Sequence, residues 1–535
     1  MPRLPDRVAA WWANQEPGRW GAAAVLALVL GLVGVAVLGP VIADLVRTAR
    51  AGDLVESLML NRADVTAMGR SVGYAVLIGV LAAAMGWPMA GLLVRRGPIA
   101  GVVLLPLLLP SYLAYAGWGQ LRAPGTWLGD WLLTRSAAGA HWWPILAGRV
   151  FAVLGLALWA SPIAGLVMAG GLARRGRGFD EALQMDRARW WRGVLERVRF
   201  HRGELLGGAG LVTLVMLGSA VPLHVAQVPT YTIRLWLRLA ESAPGAWGQV
   251  WAASWPTLLV ALVAAWVLAR RVVRPAESDS GDSTQQAAGS RRAAAGGWLV
   301  WSLAVLVPVL ICVVNLSGWT VFKTLWRLDR GAMLTSLGRG VVVGGVLVLL
   351  AVAVSVHLSS GRRGDRVIVR WAVMVALAIG LLPGFLIGAT VSRFGLDGLG
   401  PVVAQVARYS FLGVLAGVWA CRGESAEQRL TRQMDSDGGL RGWAMTALPA
   451  QWRVLLGIGL AGAALSLHEI EATVFVEPAG SGSLAQKMLG HLHFARMDEL
   501  NAMSLVVVGL GLVPAAVGGA LLAGRRAATG ANRER

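Results

Sequence analysis

Long apolar runs dominate the chain and alternate with short polar segments. A bilayer core about 30 Å thick needs roughly 20 apolar residues per helix, and the runs that approach this length predict an all-α, polytopic membrane protein with about 12 transmembrane helices. In the first half they lie near 20–46, 71–94, 97–117, 143–171, 204–225 and 247–269, and in the second near 297–317, 340–358, 367–391, 401–420, 453–475 and 501–523.

A polar stretch without hydrophobic periodicity divides these runs into two groups of six. It covers 275–295 and reads PAESDSGDSTQQAAGSRRAAA, a composition typical of a flexible connection. We therefore predict a first six-span half over 1–274, a cytoplasmic linker over 275–295 and a second six-span half over 296–535.

The two halves match in sequence when one is shifted by 249 residues over the other. The gap-free matches include Gln184, Met185 and Asp186 with Gln433, Met434 and Asp435, Gly208 with Gly457, and Leu235 with Leu484. Because six spans are an even number, both copies have one orientation, which predicts tandem parallel six-helix repeats about an axis along the membrane normal. Gly208 and Gly457 are then expected in equivalent close helix contacts.

Composition and charge agree with this interpretation. Hydrophobic residues make up 56% of the chain and the mean hydropathy is +0.60, well above the range of soluble proteins. The net charge of +20 could indicate nucleic acid, but the arginines collect in short loops between spans, as the positive-inside rule describes. We predict a multi-pass protein of the bacterial inner (plasma) membrane, with both termini cytoplasmic and no nucleic-acid partner.

Enzyme signatures are absent from the sequence. There is no G-x-x-x-x-G-K-[ST] phosphate loop, no H-E-x-x-H and no G-x-S-x-G, and the two cysteines and seven histidines form no metal-ligand pattern. We predict no catalytic residue, metal or cofactor in this chain, so ATP, if it supplies the energy, must bind another chain.

Two predicted cytoplasmic loops, 172–203 and 421–452, separate the fourth and fifth spans of each half. The first contains Glu181 and Ala182, and the second contains Leu448 and Pro449. Their spacing resembles the EAA coupling loop of ABC importer permeases, which reads E-A-A, a glycine four residues later, and I-x-L-P after nine more. Each loop retains a part that the other lacks, and Arg187 and Ser436 stand at the glycine position.

The resemblance extends to 228–236 and 465–489 and is to the two-domain, iron(III)-type inner-membrane components of binding-protein-dependent transport. It implies a type I ABC importer fold, a partner ATPase dimer that binds ATP and Mg, an extracytoplasmic solute-binding protein and a lipid environment. The implied coupling residues are Glu181, Ala182, Met185 and Asp186 in the first loop and Met434, Asp435, Leu448 and Pro449 in the second.

Three ionisable residues, His468, Glu469 and Glu471, fall fifteen to eighteen residues into a span that starts near Arg453. Such residues usually face a water-filled path or a partner charge, which makes them candidates for a pathway or gate. The alternative is a position at headgroup level, or pairing with nearby backbone. Prolines within spans, Pro106, Pro110 and Pro383, indicate either hinges or ordinary kinks.

Two other functions stay open at this stage. An ion-coupled secondary transporter would need several charged residues buried in the membrane, and the sequence offers few. A non-transporting membrane scaffold or enzyme is compatible with coupling loops that each lack part of the motif.

Overall fold

The computed structural model describes residues 17–94, 98–175, 190–273, 291–359, 363–422, 440–478, 480 and 482–531, and every regular element in these ranges is helical. The N-terminal half contains α1 (Pro17–Arg50), α2 (Leu54–Leu58), α3 (Arg62–Val94), α4 (Pro98–Val103), α5 (Ser111–Gly119), α6 (Trp127–Ala137), α7 (Trp142–Arg175), α8 (Trp190–Phe200), α9 (Arg202–Gly218), α10 (Val221–Val225), α11 (Tyr231–Glu241), α12 (Trp247–Ala253) and α13 (Trp255–Val272). The C-terminal half contains α14 (Arg291–Trp301), α15 (Val307–Val314), α16 (Thr320–Ser359), α17 (Arg363–Gly380), α18 (Gly384–Ser392), α19 (Gly400–Arg422), α20 (Leu440–Thr446), α21 (Leu448–Leu467), α22 (Leu484–His493) and α23 (Met497–Ala531).

Nine helical segments in the described part of the chain are long and apolar enough to cross a bilayer, which indicates a membrane-embedded protein. They are Gly21–Arg50, Leu54–Val94, Trp142–Leu172, Trp255–Val272, Ala294–Val314, Thr320–Ser359, Asp397–Arg422, Leu448–Leu467 and Met497–Ala520. A tenth is formed if α17 and α18, which meet at 96°, are counted as one broken span. The predicted spans near 97–117 and 204–225 consist of shorter helices, so the total of twelve stays a prediction.

Prolines mark breaks in the third predicted span of each half. Pro110 directly precedes α5 and Pro383 directly precedes α18. Because proline has no N–H, the helix hydrogen bonding is interrupted there, and side chains bind the carbonyls just before the breaks. Trp159 donates to Leu109 O at 2.8 Å, and Arg408 donates to Leu382 O.

Each half is organised around three packed helices. In the N-terminal half α3 packs on α7 and α9, and in the C-terminal half α16 packs on α19 and α21. Glycine allows the closest of these approaches. A Cβ at Gly79 of α3 would overlap the backbone of α9, and one at Gly344 of α16 would overlap the backbone of α21.

The halves also exchange helices. The first helix α1 packs on α16, while α14, the first helix of the C-terminal half, packs on α3. In the same way α13 packs on α17 and α23 packs on α4. Each three-helix core therefore completes its apolar surroundings with helices from the other half.

One prediction about local packing is wrong. Gly208 lies in a close contact with Ala164, whereas Gly457 has open space where its side chain would be. The face of α21 that packs on α16 contains Gly459 and Gly462 instead, because Gly457 points to another side of the helix. Helix α14 begins at Arg291, inside the stretch predicted as the linker, and residues 275–290 of that stretch lie outside the described part of the chain.

Candidate functional site

A buried carboxylate joins the start of α3 to α11. Asp64 is in the first turn of α3, where its side chain and that of Asn61 accept hydrogen bonds from each other's backbone N–H, at 3.3 and 2.8 Å, in a capping box. The same carboxylate binds Arg234 at 2.9 Å and accepts two hydrogen bonds from Arg238, both at 2.8 Å. Two turns of the helix further along, this link is reinforced by Ser71, which accepts a hydrogen bond from the backbone N–H of Tyr231 in α11 at 2.7 Å.

The C-terminal half contains a matching link between α16 and α22. Asp329 is buried and lies 3.3 Å from Lys487 and 3.9 Å from His491. Ser336 accepts a hydrogen bond from the backbone N–H of Leu484 at 2.9 Å. Burial, followed by the nearby Arg496, lowers the pKa of His491, so Lys487 supplies the positive charge of this link at neutral pH.

A short sequence motif that the sequence analysis did not identify is repeated at these two links. The segments 64–71 and 329–336 read DVTAMGRS and DRGAMLTS, which share D-x-x-A-M-x-x-S. The helix starts at Tyr231 and Leu484 occupy equivalent positions, because the backbone N–H of each donates a hydrogen bond to the serine of this motif. The gap-free pairing of Leu235 with Leu484 is therefore wrong: the 249-residue register holds to the helix ends at Gly218 and Leu467, and the next loop is four residues longer in the C-terminal half.

Glu471 connects the two halves. Helix α21 ends at Leu467, so the three predicted pathway residues lie in the turns that follow it and not within the span. The Glu471 carboxylate accepts from the Ser219 hydroxyl at 3.1 Å and from the backbone N–H groups of Ala220 and Val221 at 2.7 and 2.9 Å. Its other oxygen lies 3.7 Å from Arg408. We call this meeting point of 218–221, 408 and 468–471 the junction.

The other two predicted pathway residues stay within the C-terminal half. Glu469 is buried, accepting from the Tyr409 hydroxyl at 2.5 Å and from the backbone N–H of Ala472 at 2.9 Å. His468 Nε2 is buried and has no hydrogen-bond partner among the residues that the structure describes. Of the three, Glu471 alone contacts the N-terminal half through a hydrogen bond among those that the structure describes.

Aromatic side chains from both halves surround the junction. Trp236 of α11 stacks on Phe385 of α18 with ring centroids 5.5 Å apart, and it lies 6.3 Å from Phe475. Gly384 of α18 lies against Glu471, because a Cβ there would come within 2.7 Å of the Glu471 Cβ. Phe385 belongs to the same buried apolar cluster as Ala220, and Trp236 and Phe475 pack against that cluster, which places these rings beside the junction.

Two further polar contacts join the halves at corresponding places. Arg393, just after α18, binds Asp44 of α1 at 3.0 Å. Gln120, just after α5, donates to Asn501 of α23 at 2.7 Å and accepts from Asn315 at 3.0 Å. These three contacts lie at the ends of spans opposite to the predicted coupling loops. Two others lie elsewhere: Arg422, in the second predicted loop, donates to Val272 O at 2.5 Å, and Trp301 of α14 donates to Val102 O of α4 at 2.8 Å.

The second predicted coupling loop ends at the bend between α20 and α21, which we call an elbow, and this elbow is hydrogen-bonded to α16. Trp443 of α20 donates to Ser355 at 3.2 Å, and Ser355 donates to Gln451 of α21 at 2.7 Å. Leu448 and Pro449 form the first turn of α21, where proline is favoured because the N–H it lacks would have no helical partner. Leu448 also packs against the apolar core.

The first loop ends in a similar elbow at His201, between α8 and α9. The buried His201 ring contacts Trp87 of α3 edge to face, with centroids 5.1 Å apart, and lies 3.9 Å from Glu204. The remaining predicted coupling residues, Glu181, Ala182, Met185, Asp186, Met434 and Asp435, lie outside the described residues.

No family profile, curated protein or solved structure matches this chain. Function is therefore inferred from the residues and their contacts. Three features are available for that purpose: the matched carboxylate links at Asp64 and Asp329, the two elbows, and the junction at Glu471.

Proposed function

We propose that the chain is the membrane-spanning permease subunit of an ATP-driven ABC importer, with twelve spans in two parallel six-span halves. The observation that carries the proposal is a set of contacts that recurs in both halves. On the second long helix of each half, an Asp binds basic side chains of the short helix that follows the predicted fifth span. A Ser seven residues later binds the backbone at the start of that short helix. A parallel repeat has this consequence, since equivalent positions then have equivalent surroundings.

The second long helices provide a mechanical connection for such a function. Helices α3 and α16 contain 33 and 40 residues, which corresponds to lengths of about 50 and 60 Å. Each contacts an elbow near one end, through Trp87 or Ser355, and the carboxylate link near the other, through Asp64 or Asp329. A displacement of the elbow by a partner can therefore tilt the helix and move the short helix on the far side as a rigid unit.

The partners follow from this role. Two ATPase subunits, which bind ATP and Mg, would contact the cytoplasmic loops that contain Glu181 and Met434, and a solute-binding protein would deliver a small solute such as iron(III) on the other side. The elbow contacts support the coupling role, because they attach both loops to the cores. The chain itself would perform no hydrolysis.

Cysteine crosslinking tests the proposal. The native Cys312 and Cys421 are first replaced by alanine, and then Ala182→Cys and Thr431→Cys are made separately. Because Glu181 and Ala182 are retained only in the first loop, we expect the 182 variant to crosslink more strongly to an ATPase that copurifies from native membranes. Equal or reversed yields would contradict the assignment of the loops, and copurification without any ATPase would contradict the importer.

A further inference from the structure

Glu471 belongs to the C-terminal half, but its hydrogen-bond donors belong to the N-terminal half, which distinguishes it from the neighbouring acidic residues. Its three hydrogen-bond donors, at 219–221, all belong to the N-terminal half. The side chain of Glu477, only six residues further on, is 3% exposed and pairs with Arg339 at 2.7 and 2.8 Å, but both members of this pair belong to the C-terminal half. Separation of the halves would therefore leave the Glu477 pair intact and break every hydrogen bond of Glu471 to the other half.

The contact also satisfies polar groups on both sides of it. Two of the three donors are the backbone N–H groups of Ala220 and Val221 at the start of α10, and the first N–H groups of a helix have no acceptor within it. The Glu471 side chain is 9% exposed, and a buried carboxylate is stable only while donors surround it. The joined arrangement thus satisfies both the carboxylate of one half and the open backbone of the other.

We propose that Glu471 is the latch that closes the transport path on the side opposite to the coupling loops. The inference rests on the proposed function, since it assumes a path between the halves. In the closed state Glu471 binds the end of α9 under the aromatic side chains Trp236 and Phe385. Opening requires the carboxylate to lose its three donors, which it does when the halves part, while Arg408 remains with it on the C-terminal half.

Passive permeability measures the latch without any partner. The purified full-length chain is reconstituted into liposomes without an ATPase, and sorbitol entry is followed by light scattering after an osmotic step. We expect Glu471→Ala to accelerate sorbitol entry by about tenfold or more, because hydrogen bonds to a charged group contribute enough to the closed state to shift its population by that factor. Glu471→Gln, which keeps the size of the side chain and one acceptor oxygen, is expected to give a smaller increase.

Glu477→Gln is the matched control, because it neutralises a buried glutamate whose partner is in its own half. We expect this variant to stay as impermeable as the wild type. If Glu471→Ala does not elute as a folded protein, the comparison of the two glutamine variants decides. Equal sorbitol entry in those two variants, whether slow or fast, would overturn the latch. The result does not depend on an ATPase, so absence of an ATPase partner would contradict the importer and leave this measurement readable.

Discussion

Replacing Asp64 by asparagine is expected to lower the free energy of unfolding by about 2–3 kcal/mol, because it leaves two guanidinium groups without their shared counter-charge. Asparagine has the size of aspartate and can still accept from the Asn61 backbone, so the helix start is preserved. Arg234 and Arg238 are about one-third exposed, with side chains at 34% and 33%, and hydration of these groups keeps the loss below that of a fully buried pair. Thermal unfolding in detergent, followed by tryptophan fluorescence, measures the change.

The equivalent Asp329→Asn substitution is the matched control. We expect a loss of about 1 kcal/mol or less, since Lys487 is 46% exposed and exposed ion pairs contribute little. His491 lies 3.9 Å from Asp329. Because its pKa is lowered, the ring is neutral at neutral pH and adds no positive charge to the link. Equal shifts for the two variants would contradict the conclusion that the N-terminal link is the stronger one.

Replacing Gly344 by valine is expected to prevent recovery of folded protein. The added Cβ would overlap the carbonyl of Gly459, and overpacking against rigid backbone costs about 1–3 kcal/mol or more because neither helix can yield locally. The measurement is the yield of monodisperse protein by size-exclusion chromatography of a fluorescent fusion.

Gly345 provides the control for this experiment. It is the next residue of the same helix, and nothing lies within 4 Å of the place where its Cβ would be. Gly345→Val should therefore give the yield of the wild type. A comparable loss in both variants would indicate an effect of helix propensity and not of the contact between α16 and α21.

Hydropathy predicted most of the long helices, because a membrane span is a continuous property of about 20 residues. The breaks were harder to predict. Apolar residues recur after both helix ends, at 220–225 and 470–476. Hydropathy therefore extended the predicted fifth spans beyond Gly218 and Leu467 and placed His468, Glu469 and Glu471 within the helix. The exchange of α1 and α14 between the halves leaves no periodic signal at all, since it depends on contacts distant in sequence.

The sequence identified Glu471 as a candidate site residue but did not identify the groups that bind it. Glu471 is a candidate because carboxylates are rare in predicted spans. Its partners in the N-terminal half are a serine hydroxyl and two backbone N–H groups, and no charge pattern can identify such groups. In the 249-residue register Glu471 pairs with Pro222, so the repeat did not connect it with Ser219 and Ala220, which bind it directly. Asp64 and Asp329 could have been found, because the motif D-x-x-A-M-x-x-S recurs on both second long helices.

Sidedness of the two halves tests the central claim most directly. In a chain with Cys312 and Cys421 replaced by alanine, single cysteines are placed at Asp186 and Asp435 in the predicted coupling loops, and at Ser242 and Phe494 after α11 and α22. A membrane-impermeant maleimide is then applied to intact spheroplasts and to permeabilised ones. Two parallel halves predict that 242 and 494 react in intact spheroplasts and that 186 and 435 react only after permeabilisation. Reaction of 186 and 435 from opposite sides would contradict the parallel repeat and the importer built on it.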